Sequence, residues 1–128
     1  MRLSLLIAPI LRQGRNIEVP SEDPYHSGEY AEYFVKGMEQ SPDDPGHIQA
    51  SACCKHYVAN SMDGSTEVGV HHDRNHYDAN ITQQDLLDSY MLPFQACVEK
   101  GRVSGLMCRH VNQSINSLGT RNDMIQTD

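Results

Sequence analysis

The sequence predicts an α/β protein built on a parallel sheet with crossover helices, and three observations lead there. "LSLLIAPIL" is a continuous apolar run of strand length near the amino end, the pattern of a strand buried on both faces. "ASACCKHYV" and "RVSGLMC" are two further strand-like stretches. Segments with helical periodicity separate these strands and follow the last of them, and strand, helix, strand, helix, strand, helix is the order of parallel β/α units. In such folds ligands meet the loops that follow the carboxyl ends of strands.

Taken in order, the first strand leads into a loop, "RQGRNIEVPSEDPYHSG", punctuated by Gly14, Pro20 and Pro24. Ser27 is the expected cap of the next helix, whose Tyr30, Phe34, Gly37 and Met38 fall on one face. "SPDDPGH" is a surface turn by composition. The second strand follows, and then a loop from Asn60 to Asn80. Thr82 with Asp85 three residues on resembles a capping box. Leu86, Leu87, Tyr90, Met91, Phe94, Cys97 and Val98 continue a helical stripe, which Pro93 is expected to kink or divide and Gly101 to stop. After the third strand, "NDMIQTD" starts a third helix.

With 128 residues and 38% hydrophobic content, the chain is the size of one domain, 1–128, with a polar character reflected in a mean hydropathy of −0.56. A net charge of −7, with no lysine or arginine cluster beyond a pair, argues against a nucleic-acid partner. No stretch approaches a membrane span. "MRLSLLIAPIL" carries one positive charge but no small-residue cleavage site, so a buried strand explains it better than a signal peptide. The four cysteines have no even spacing, and buried thiols are the expectation. Two glycosylation sequons, Asn80-Ile81-Thr82 and Asn112-Gln113-Ser114, lean toward a secreted protein.

Three constellations carry chemistry. His71, His72, Asp73, His76 and Asp78 crowd eight positions, and His72 with His76 would share a helix face as zinc ligands do. The segment lacks the apolar periodicity of a helix, so a solvated or substrate-rimming loop is the better reading, with no metal and no cofactor expected. Cys54 and His56 have the chemistry of a nucleophile and its base, yet "SACC" reads as buried where a reactive thiolate needs exposure. The third is a polar clamp. Lys55 and His56 end the second strand, and His110 and the loop holding Arg15 fall at equivalent ends. Successive strand residues point to opposite faces, so Lys55 and His56 meet one ligand only where the backbone leaves strand geometry. Against the clamp stands a simpler alternative, a snorkelling Lys55 and a satisfied core histidine at His56.

"GRNIEVPSEDPYHSGEYA", "ACCKHYVAN", "HHDRNHYDANITQQDLLDSYMLPFQACVEKGRVSGLMC" and "NDMIQTD", in that order, resemble the N-terminal barrel domain of glycoside hydrolase family 3, on its β-xylosidase and β-glucosidase branch. The similarity runs from Gly14 onward. It implies a (β/α)8 barrel of the TIM type, of which the chain would hold about three units, an incomplete portion. It also implies a retaining β-glycosidase, with an Asp nucleophile and a Glu acid/base. Arg15, Lys55 and His56 then match the family's sugar-ring ligands, with Cys53 and Cys54 as packing residues behind them.

Two departures stand out. The chain has no Trp, and Arg109, His110 and Val111 follow Met107-Cys108 where the family has Ser-Tyr-Asn. Neither catalytic carboxylate is expected within these residues. The expectation is a partial or truncated β-glycosidase, inactive alone, that keeps part of a site for β-linked xylose or glucose saccharides. The alternative is a non-catalytic carbohydrate-binding pseudoenzyme or partner module. The resemblance further implies an extracellular or secretory location. Unpaired strand edges in an incomplete barrel predict self-association.

Overall fold

The computed structural model describes residues 16–60 and 81–108 in full, and the backbone of 3–6, 64–67 and 70–73. Three strands form a parallel sheet: β1 (Leu3–Leu6), β2 (Ala52–Tyr57) and β5 (Leu106–Cys108), in the order β1-β2-β5. β1 pairs with β2 from Leu3↔Ala52 to Leu6↔Lys55, and β2 pairs with β5 through Cys54↔Leu106, Lys55↔Met107 and Tyr57↔Cys108. The parallel α/β expectation holds, with "RVSGLMC" shortened to its last three residues. The third predicted helix, "NDMIQTD", lies outside the described residues.

The segment read as a loop from Asn60 to Asn80 contains an antiparallel pair, β3 (Gly64–Glu67) and β4 (Val70–Asp73). Its histidines and aspartates hid this from a periodicity argument. Backbone pairing, with Gly64 opposite Asp73 and Glu67 opposite Val70, needs no apolar alternation.

Helix α1 (Pro24–Glu39) is capped by Asp23 rather than Ser27. The Asp23 carboxylate accepts from the backbone N–H of Tyr25 at 2.8 Å and of His26 at 3.3 Å. Pro24 supplies a first turn that needs no N–H and a φ already set for a helix. Ser27 sits one turn further in, buried, and its hydroxyl donates to the Ser21 carbonyl at 2.9 Å. The buried face is also rotated from the predicted stripe. It is Ser27, Gly28, Ala31, Val35 and Glu39, while Tyr30 is largely exposed and stacks on Phe34 with centroids 5.9 Å apart. Close packing explains the choice: a Cβ on Gly28 would lie 3.1 Å from the Cβ of Ala96, so α1 presents its small residues to its neighbour.

That neighbour is an unbroken helical run of α2 (Gln83–Asp85), a π-helical stretch (Leu86–Tyr90), α3 (Met91–Gln95) and a second π-helical stretch (Ala96–Lys100). Thr82 caps it as expected, accepting from the Asp85 N–H at 3.0 Å. Pro93 does not divide the run. The chain passes it by widening to π geometry on either side, with the Met91 N–H bonded to the Leu86 carbonyl. Gly101 follows the last helical residue, but not by adopting a left-handed conformation; Arg102 does that, at φ 59°. Glycine is required at 101 because a Cβ would lie 2.6 Å from the Cys97 carbonyl oxygen.

The core lies between β2 and the two helical layers: Ala31, Val35, Ala52, Cys54, Phe94 and Cys97. Cys54 and Cys97 are joined as a disulfide. This corrects the expectation of buried free thiols for that pair. Of the other two, Cys53 is partly buried and Cys108 exposed. Adjacent strand residues face opposite sides, so Cys54 reaches the helix and Cys53 does not.

Candidate functional site

The amino and carboxyl ends of β2 are built differently. At the amino end the buried Glu39 carboxylate ties α1 to the strands, accepting from the Ala52 N–H at 2.7 Å and from the Ser104 hydroxyl at 2.7 Å. Every polar group there that these bonds touch is satisfied within the protein, as suits a structural brace.

The carboxyl end carries Lys55 and His56. Lys55 is 8% exposed, and its ammonium donates to Glu18 Oε2 at 2.8 Å. Glu18 ends a short 3-10 turn, Asn16–Glu18, within the segment expected to be loop. An ammonium has three N–H donors, and the Glu18 contact uses one. His56 comes next, half-buried, with Nδ1 3.4 Å from the side-chain amide of the buried Asn60. Regular alternation breaks here: the β2–β5 register shifts between Lys55 and Tyr57, and the Lys55-His56 and Tyr57-Val58 peptides are cis. The register shift is the kind of departure from strand geometry that the clamp reading expects at this junction. Behind the pair, Tyr57 packs edge-on against Phe94 at 5.2 Å, and the Cys54–Cys97 bridge fastens the strand to the helix.

Of the four candidate ligands, Lys55 and His56 are described and adjoin one end of the sheet. Arg15 and His110 lie outside the described residues; Asn16, next to Arg15, opens the turn whose Glu18 meets Lys55. The sequence reading missed Glu18 and Asn60. Their signal was spacing: Glu18 falls three residues after Arg15, and Asn60 four after His56.

The Cys54–His56 nucleophile reading fails, since a disulfide sulfur is not a thiol that His56 can deprotonate. The helical premise of the zinc reading does not hold at His71 and His72, whose backbone lies in strand β4; His76 and Asp78 lie outside the described residues. Among the described residues no group of three or more His, Cys, Asp or Glu converges as a metal site.

The described residues form parallel β/α units, with a paired, buried lysine and a histidine at the carboxyl end of β2. The Glycosyl hydrolase family 3 N terminal domain matches residues 5–119, and the chain belongs to that family. The match begins within β1, at residue 5, ahead of the Gly14 start of the motif resemblance, and stops before "NDMIQTD". The chain is 41% identical over 99 residues to beta-D-xylosidase 1 of Arabidopsis thaliana and 42% identical over 100 residues to beta-xylosidase/alpha-L-arabinofuranosidase 1 of Medicago sativa subsp. varia. Each alignment covers 77% of this chain and 12% of the relative, so the chain spans a small part of the length of the proteins it matches. Among solved structures, beta-glucosidase 3B from Thermotoga neapolitana in complex with glucose superposes with a TM-score of 0.67 at 30% identity, over 89% of this chain and 14% of that one. A family 3 exo-beta-xylosidase bound to a xylobiose aziridine probe gives 0.69 at 26% identity, with the same coverage.

Proposed function

We propose that this chain is the sugar-holding sector of a retaining β-glycosidase acting on β-D-xylosides, with the nucleophile and the acid/base carried outside these 128 residues. The observation that carries the reading is the Lys55 ammonium, held by Glu18 at the carboxyl end of β2 with His56 beside it. Its remaining donors and the His56 imidazole suit neutral hydroxyls, which accept and donate at once. Glu18 balances the lysine charge, so the site selects for hydroxyl geometry rather than for anions. Arg15 and His110 complete the clamp in this reading. The xyloside reading is supported by the plant xylosidases, 41% and 42% identical over about 100 residues; among the solved structures the glucosidase, at 30%, stands above the exo-xylosidase, at 26%. The Cys54–Cys97 bridge supports an extracellular or secretory location, where such bonds persist.

The test is a pair of measurements on the purified chain. Xylobiose titrated by NMR should perturb the amides around Lys55 and His56 in the wild type and not in Lys55→Ala. Aryl β-xylosides and β-glucosides should remain intact, because a lysine and a histidine lack the paired-carboxylate geometry of the reaction. Hydrolysis abolished by Lys55→Ala would overturn the division of labour proposed here. Undisturbed amides at saturating sugar would overturn the clamp.

A further inference from the structure

We propose that Asn60 is a positioning residue for His56: its side-chain amide donates to the imidazole Nδ1 and holds the ring as the tautomer that carries its hydrogen on Nε2. His56 then enters the clamp as a hydrogen-bond donor, as Lys55 does. That last step rests on the sugar-clamp reading; the tautomer does not.

The chain after β2 is shaped to bring the two side chains together. β2 ends at Tyr57, and Asn60 lies back against His56 with its Nδ2 3.4 Å from Nδ1. Ala59 makes the turn, in a left-handed conformation at φ 57° that a residue other than glycine keeps only where its surroundings hold it. Here they do: Ala59 is 1% exposed and sits in a core cluster with Ile81 and Leu86. Leu86 belongs to the helical run, so the turn that carries Asn60 is anchored to a helix as well as to the strand.

Asn60 is 5% exposed, and a buried amide places its hydrogens on acceptors inside the protein. The Nδ1 of an imidazole is such an acceptor only when the ring is neutral and its hydrogen is on Nε2. An amide N–H aimed at Nδ1 therefore excludes the Nδ1–H tautomer and, while the bond lasts, the imidazolium, since either would set two hydrogens face to face. At 3.4 Å the bond is long, and its effect is to choose between two tautomers rather than to stabilise the fold. His47 is the opposite case in the same chain. Its Nδ1 is 2.9 Å from Asp44 Oδ2, a carboxylate oxygen that only accepts, so there the hydrogen belongs on Nδ1.

A fixed Nε2–H gives the clamp two kinds of donor, an ammonium and an imidazole N–H, each matched to a lone pair on a sugar hydroxyl oxygen. The other tautomer would present a lone pair at the same place and would ask for hydroxyl hydrogens instead.

The test reads the ring itself. Nitrogen-15 spectra of the full chain, recorded at about pH 8.5 and so above the ordinary histidine range, separate an unprotonated ring nitrogen from a protonated one; the His56 signals are those lost in His56→Gln. The expected result is an unprotonated Nδ1 and a protonated Nε2 in His56, with the hydrogen shifted toward Nδ1 in His47. Asn60→Asp keeps the size and shape of the side chain but offers only acceptors. In that variant the hydrogen of His56 should move to Nδ1, and xylobiose should bind about three- to tenfold more weakly, as for the loss of one hydrogen bond. A wild-type His56 protonated on Nδ1 overturns the proposal with no variant needed, and so does a tautomer that is unchanged in folded Asn60→Asp. The expected tautomer in a chain that does not bind xylobiose upholds the Asn60 assignment and overturns the clamp instead.

Discussion

The carboxylate of Glu39 accepts hydrogen bonds from both the backbone N–H and the hydroxyl of Ser104, at 3.1 and 2.7 Å, across 65 positions of sequence. The same oxygen takes the Ala52 N–H at 2.7 Å. One side chain at the end of α1 thereby sets where β2 begins and how the chain enters β5. Glu39→Ala strands buried donors at both places, and a loss of about 2–4 kcal/mol is expected in denaturant unfolding. Glu39→Gln keeps an acceptor oxygen but turns an amide toward donors, and should fall between. Sugar-induced shifts at Lys55 should persist in folded Glu39→Gln, because the brace lies at the opposite end of β2.

The Cys54–Cys97 bridge closes a loop of 43 positions. Loop entropy alone gives it about 4 kcal/mol. Cys54→Ser, Cys97→Ser and the double variant should be destabilised by nearly the same amount, and wild type in reductant should join them. A double variant whose loss equals the sum of the two single losses would mean that the cysteines contribute separately.

Lys55 and Glu18 form a pair of unequal burial, with side chains 10% and 31% exposed. Solvent at Glu18 screens the interaction, so a double-mutant cycle with Lys55→Met and Glu18→Gln should give a coupling of about 1–2 kcal/mol, below that of a fully buried pair. Lys55→Met alone should be tolerated in folding and should lose sugar binding; loss of folding with no coupling would make Lys55 a packing residue.

β5 has β2 on one side and no strand on the other among the described residues, and its Leu106 and Met107 are 41% and 39% exposed. An uncovered apolar edge pairs with other chains. The 128-residue chain should therefore self-associate with rising concentration in light scattering, more so with salt, which screens its charge of −7. Met107→Lys should shift it toward monomer. A wild type that stays monomeric at every concentration shows that the edge is covered.

The order of elements was legible along the chain because each signal is local. Apolar runs marked β1 and β2, and the Thr82–Asp85 pair marked a helix start from four residues of sequence. The Lys-His pair was legible for the same reason, being contiguous. What only the tertiary structure decided was which residues meet across long separations. Asp23 displaced Ser27 as the cap because Pro24 fixed where the helix begins. Small residues displaced Tyr30 and Phe34 from the buried face because α1 crosses the helical run too closely for rings, with Ala96 at 3.1 Å from a Cβ on Gly28. Cys54 found Cys97, Glu18 found Lys55 and Glu39 found Ser104 only once strand alternation and helix packing had set their distances. Each of these pairings depends on a geometry that no window of neighbouring residues contains.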